Sequence, residues 1–259
     1  MCHDPDSHPP IAPIAGGSLD GRSLTVAGAG GSRFRAFRAR PADPTGAAVV
    51  ILPDVRGLHP FYEELASRFA EQGIDALAID WFGRTAGTEP RDADWQHMPH
   101  VEQATWEGLQ ADIRAGAGAL RDDPDANLQA LFTVGFCFGG RAAFLSATLG
   151  IDLAGVIGFY GSLAAKGRAG MPSPIEVADD IRSPVLGLFG GADQGIPASD
   201  VAAFDRALER AGVDHRLFTY PGAPHSFFDR KADEFTEASA AAWDEVLAFI
   251  RERGAQIGA

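Results

Sequence analysis

Leu131-Phe132-Thr133-Val134-Gly135-Phe136-Cys137-Phe138-Gly139-Gly140-Arg141 is the stretch from which the rest of the chain is read. Residues 131–134 are a short apolar run, as in a buried strand, and residues 140–149 carry a helical pattern. Between them stands G-x-C-x-G-G, the strand-turn-helix elbow that presents a nucleophile, with cysteine where serine is usual. Such a turn forces its central residue into a strained backbone conformation, and flanking glycines let strand and helix approach each other. Gly135 and Gly139 meet that demand. The geometry sets Cys137 at a helix N-terminus, where the dipole and free N–H groups favour thiolate over thiol. An inert buried cysteine beside a glycine turn is the competing reading, since free cysteine is among the most buried residue types.

Outward from the elbow, residues 48–52, 76–79, 155–159, 185–189 and 216–220 repeat the pattern of short, largely unalternated apolar runs flanked by turn residues, and are expected as buried strands. Residues 22–27 and 32–40, joined across Gly28, Gly30 and Gly31, form an antiparallel start. Helical patterns fall at 60–72, 101–120, 140–149, 200–211 and 235–253. In the first, Phe61, Leu65 and Phe69 share a face, with Pro60 at the first turn and Gly73 at the cap. In the fourth, Val201, Phe204 and Leu208 share a stripe that ends at Gly212. Alternating strands and helices specify an α/β fold: a mostly parallel central sheet of about eight strands with helices on both faces, its ligand site beyond the carboxyl ends of the strands.

In folds built on this elbow the acid and then the histidine follow the nucleophile in chain order. Strand 185–189 runs into Gly190-Gly191-Ala192-Asp193, and strand 216–220 into Pro221-Gly222-Ala223-Pro224-His225, so a carboxylate and an imidazole arrive in order at the ligand-binding end. The histidine can take the thiol proton and later activate water, while the carboxylate fixes its tautomer and orientation. Singly, Asp193 reads as a turn former and His225 as a loop histidine. Among the other histidines, His3 and His8 lie in the tail, His97 and His100 precede a helix and His215 begins a strand. His59, before Pro60, is the strongest rival.

The 259 residues suit one domain, residues 19–259, preceded by a Pro-, Gly-, His- and Ser-rich tail or strap over residues 1–18. With 46% hydrophobic and 22% charged residues and no apolar run of membrane-spanning length, no membrane role is expected. Residues 1–14 do not read as a secretory signal. A net charge of -13 argues against nucleic acid as a partner and leaves an acidic substrate in need of a local basic pocket. The two cysteines, Cys2 and Cys137, give no sign of a bridge and fit a reducing compartment, so the expected location is the cytoplasm. Cys2, His3 and His8 lack the partner cluster of a zinc site, and no metal is expected.

Three blocks then carry a resemblance over roughly residues 20–250: Leu52-Pro-Asp-Val-Arg-Gly-Leu before a helix, Gly135-Phe-Cys-Phe-Gly-Gly-Arg, and His225-Ser-Phe-Phe-Asp-Arg230. The chain resembles the dienelactone hydrolase (carboxymethylenebutenolidase) family. The resemblance implies an α/β-hydrolase fold without a large cap, acting on a small-molecule ester or lactone without a cofactor; a monomer or small homo-oligomer is expected. It implies thiolate attack by Cys137, a thioester intermediate, and an oxyanion held by the backbone N–H groups of Val55 and Phe138. Asp54 stands where the family commonly has a glutamate that helps ready the cysteine, one methylene shorter, with turn formation as its other reading. Arg84 and Arg230 correspond to the two arginines that bind the substrate carboxylate in the family's type enzymes, Arg230 one position late. Residues 83–107, with Trp95, His97, Met98 and Trp106, cross the region of a lid or pocket wall. The alternatives within reach are a general carboxylesterase or thioesterase, a non-catalytic small-molecule-binding relative, and a thiol sensor that draws on Cys2.

Overall fold

The apolar runs become eight strands: β1 (Leu19–Ala27), β2 (Arg33–Pro41), β3 (Ala47–Leu52), β4 (Asp75–Ile79), β5 (Ala130–Phe136), β6 (Gly155–Phe159), β7 (Val185–Gly190) and β8 (His215–Tyr220). A computed structural model describes residues 7–14, 19–92, 94–164 and 166–257; of the tail's candidate ligands, Cys2 and His3 lie outside the described residues. The strands form one sheet in the order β1-β2-β4-β3-β5-β6-β7-β8. Only the β1–β2 and β2–β4 pairings are antiparallel, and every later pairing is parallel. Strands β3 to β7 are buried along their whole length, as two-sided coverage demands. β8 departs from the buried strand read in the sequence: it is half-buried because it is the last strand and has a neighbour on one side only.

The helices are α1 (Pro60–Glu71), α2 (Gly83–Ala86), α3 (Met98–Gln103), α4 (Trp106–Arg121), α5 (Phe138–Ser146), α6 (Ala198–Ala211) and α7 (Thr236–Ile257). Phe69 of α1 packs on Trp243 of α7, with ring centroids 4.7 Å apart, on one face of the sheet. Phe144 of α5 meets Phe204 of α6 at 5.3 Å on the other, beside α4. No large cap domain stands among the described residues.

The helix read over 101–120 is two helices. The hydroxyl of Thr105 accepts the Gly108 N–H and caps α4, while Thr105 itself is extended, so α3 ends and α4 begins anew. Residues 7–14 lie along α1: His8 bonds the Glu64 carboxylate at 2.9 Å, and the Ile14 N–H donates to Glu71 at 3.1 Å. Among the described residues no helix is long and apolar enough to cross a membrane.

Candidate active site

Cys137 follows β5 directly, with φ 53° and ψ -107°, the left-handed strain expected of the elbow. The glycines around it are required by contact. A Cβ on Gly135 would sit 1.9 Å from the Gly139 carbonyl oxygen, and one on Gly139 would sit 2.0 Å from that of Leu52. The Cys137 N–H donates to Phe159 O at 3.0 Å, tying the elbow to the end of β6.

Asp193 follows β7 and His225 lies in the loop after β8, so three strand ends converge on one site. His225 Nδ1 lies 2.6 Å from Asp193 Oδ2, while Asp193 Oδ1 accepts the Gly195 N–H at 2.8 Å. The Asp193 side chain is nearly enclosed, yet its pKa is lowered: burial acts against ionisation and is outweighed by the bond to His225. For His225, burial lowers the pKa, but the hydrogen bond to Asp193 and the neighbouring Asp193 and Cys137 side chains prevail and push it up to about 10.

Cys137, His225, Val55 and Phe138 line one cavity of about 570 Å³ with His97, Met98, Arg141, Tyr160, Ser162, Arg168 and Met171. Among the described residues, the backbone N–H groups of Val55 and Phe138, two residues of the cavity lining, donate to no other group. The loop that carries Val55 is held on both sides. The Asp54 N–H donates to Tyr62 Oη at 2.9 Å, and the Gly57 N–H to Asp54 O at 3.1 Å.

Asp54 is buried outside this cavity. Its Oδ1 accepts the Arg56 N–H at 2.8 Å, the turn-forming pattern, and its Oδ2 takes the Arg56 guanidinium at 2.5 Å. Burial opposes its ionisation; the neighbouring His59 and the bonds from Arg56 overcome that and lower its pKa. Asp54 therefore shapes the Val55 turn and does not reach the thiol cavity. His59, the rival histidine, has Nε2 3.9 Å from Asp54 Oδ2 and lines a separate cavity of about 280 Å³ with Arg35, Arg56 and Arg91.

The two arginines carried over from the resemblance do not come to the cysteine cavity. Arg84 Nη1 binds the carboxylate of Asp112, which is 1% exposed, and Nη2 donates to Ser32 Oγ at 2.9 Å. A buried carboxylate on α4 captures the guanidinium and turns it toward the β1–β2 connection. Arg230 Nη2 donates to Ser226 Oγ at 3.0 Å, and its Nε lies 3.7 Å from Asp229 Oδ1.

Two other arginines take their place in the cavity wall. Arg141, one turn into α5 and 2% exposed, donates to the carbonyls of Pro172 at 2.7 Å, Ser162, Ala164 and Met171 at 3.3 Å, and to Ser162 Oγ at 3.1 Å. Burial pulls its pKa down to about 10, with Glu176 opposing. Arg168 is exposed on the connection that follows β6. The sequence held one signal for Arg141, a cation in an otherwise apolar helix. The wall drawn from residues 83–107 narrows to His97 and Met98, while Trp95 instead stacks under Arg91 at 4.2 Å.

The model of the dienelactone hydrolase family matches residues 34–254. A Salmonella typhimurium protein named "Putative carboxymethylenebutenolidase" is 30% identical over 260 residues, 96% of this chain and 95% of its own length. A protein of the same name from Methylorubrum extorquens is 29% identical over 226 residues, 85% of this chain and 77% of its own. The crystal structure of a "Putative Dienelactone Hydrolase" from Klebsiella pneumoniae superposes with a TM-score of 0.78 at 27% identity, covering 90% of this chain and 99% of that one.

Proposed function

The chain belongs to the dienelactone hydrolase family, and on that premise we propose that this ester- or lactone-cleaving hydrolase acts on a dienelactone-type substrate through Cys137, His225 and Asp193. The observation that carries the proposal is a single imidazole held at 2.6 Å by Asp193 and lining one cavity with Cys137. His225 takes the Sγ proton, and the thiolate adds to the carbonyl carbon. The carbonyl oxygen gains the electron pair and is held by the N–H groups of Val55 and Phe138. The tetrahedral species collapses, the C–O bond breaks, and the leaving oxygen takes the proton from His225, which frees the imidazole to act again as a base. Water, giving its proton to His225, then cleaves the thioester and returns the thiol.

The cations Arg141 and Arg168 favour a substrate that carries a carboxylate, in a protein whose net charge of -13 otherwise repels one. A second reading, a general carboxylesterase for neutral esters, draws on the apolar walls formed by Val55, Met98, Phe138, Tyr160 and Met171. A free nucleophilic thiol suits a reducing compartment, which favours the cytoplasm.

Turnover of dienelactone and of a neutral aryl ester by the wild type, Cys137→Ala and Arg168→Ala tests both readings. Cys137→Ala is expected to lose turnover by a factor of about 10³ or more, with a thioester trapped on Cys137 in the wild type by mass spectrometry. Full activity in Cys137→Ala rules out the nucleophile. Arg168→Ala is expected to raise KM for the carboxylate substrate by about fivefold, roughly 1 kcal/mol, and to leave the neutral ester unchanged. A wild type that prefers the neutral ester, with Arg168→Ala silent, selects the second reading.

A further inference from the structure

One hydrogen bond to Asp193 fixes a single atom of the His225 ring, and the side chain is 34% exposed, so burial alone does not hold it. An imidazole anchored only at Nδ1 can swing about that bond and carry Nε2 away from the sulfur. The structure supplies a stop. Tyr160, the residue after β6, is fully buried, and its ring lies 5.0 Å from the His225 ring at 56°.

Tyr160 is itself pinned at three points. Its N–H donates to Leu188 O at 2.8 Å, its ring meets the edge of Phe227 at 5.7 Å, and its hydroxyl donates to Asp229 Oδ2 at 3.3 Å. Asp229 lies four residues beyond His225 and is 3% exposed. Its N–H donates to Ser226 O at 3.2 Å, and its Oδ1 accepts the N–H of Arg230. His225, its own loop, Asp229 and Tyr160 therefore close into one ring of contacts.

Two features show that this arrangement is held against a cost. Tyr160 has φ 37° and Ser226 φ 61°, left-handed conformations that persist in such residues only where the surroundings enforce them. Asp229 is a buried carboxylate whose ionisation is opposed by burial and by nearby Asp54. The proposed chemistry touches neither the Tyr160 hydroxyl nor Asp229.

We propose that Tyr160 and Asp229 are positioning residues, a buried hydroxyl-carboxylate clasp that holds the Tyr160 ring as a backstop and keeps the His225 imidazole turned toward Cys137. The clasp acts through geometry, so an acceptor oxygen at position 229 suffices for it. The proposal rests on Cys137 and His225 acting as a pair, as set out under the proposed function.

The test compares Tyr160→Phe, Asp229→Asn and Asp229→Leu with the wild type in two assays. One is kcat and KM for an ester substrate. The other is the rate at which iodoacetamide alkylates Cys137, followed on the Cys137 peptide by mass spectrometry. Tyr160→Phe keeps the ring and loses the hydroxyl; kcat and the alkylation rate are each expected to fall about tenfold, with KM within about twofold. Asp229→Asn keeps the acceptor and is expected to stay within about threefold of wild type in both, whereas Asp229→Leu falls with Tyr160→Phe. Wild-type kcat and alkylation in Tyr160→Phe overturn the clasp, as does a loss in Asp229→Asn equal to that in Asp229→Leu. Turnover by Cys137→Ala sinks the underlying nucleophile instead, and the alkylation rates separate that failure from a failure of the clasp because they need no turnover.

Discussion

At the scale of single residues, the chemistry rests on His225 gaining two partners on folding. Its pKa rises from an ordinary 6.5 to about 10, so the folded chain binds the proton more tightly than the unfolded one. The resulting stabilisation is fully present below pH 6.5, declines as the pH rises, and is gone once the pH has passed about 10. Urea unfolding of wild type and His225→Asn across pH 6 to 10 is expected to show the gap between them shrinking steadily with pH. A gap that is constant or widens with pH contradicts the paired imidazole. Cys137, Asp193 and His225 were legible in the sequence because each sits directly after a strand, in the chain order that the elbow demands. Arg84 and Arg230 do not line the cysteine cavity, because a side chain with several rotatable bonds goes to whichever polar partner is nearest in space. For Arg84 that is Asp112, 28 residues away.

At the scale of elements, the elbow works by close approach. A methyl at Gly139 would meet Leu52 O at 2.0 Å and Pro53 O at 2.3 Å, the backbone that leads into the Asp54–Val55 turn. Backbone cannot swing aside as a side chain can, so α5 and the Val55 loop would be driven apart. Gly139→Ala is expected to cost about 3 kcal/mol or more and to abolish turnover, measured by urea unfolding and ester hydrolysis. A variant with wild-type stability and rate contradicts the close packing. The same scale explains the one helix read wrongly. Apolar periodicity runs across residues 101–120 without a Gly or Pro break until Gly108, whereas the true boundary is a hydroxyl cap at Thr105.

At the scale of the whole molecule, the two antiparallel strands at one edge are tied to the helical layer by charge. Arg84 bridges Asp112 on α4 and Ser32 in the β1–β2 connection, three segments distant in sequence. Removing the guanidinium leaves a carboxylate that is 1% exposed without its cation. Arg84→Ala is expected to lower stability by about 1–3 kcal/mol in urea unfolding and to leave KM unchanged. A raised KM for a carboxylate substrate at unchanged stability returns Arg84 to the substrate site. The sequence by itself determined the α/β order, the elbow and the three residues that meet at it, because apolar periodicity, glycine sterics and chain order are local properties. Only the tertiary structure decided which cations line the cavity and that Asp54 belongs to a turn. It alone showed that Tyr160 and Asp229 stand behind His225. Those facts are distances between segments far apart in the chain, set by how strands and helices pack.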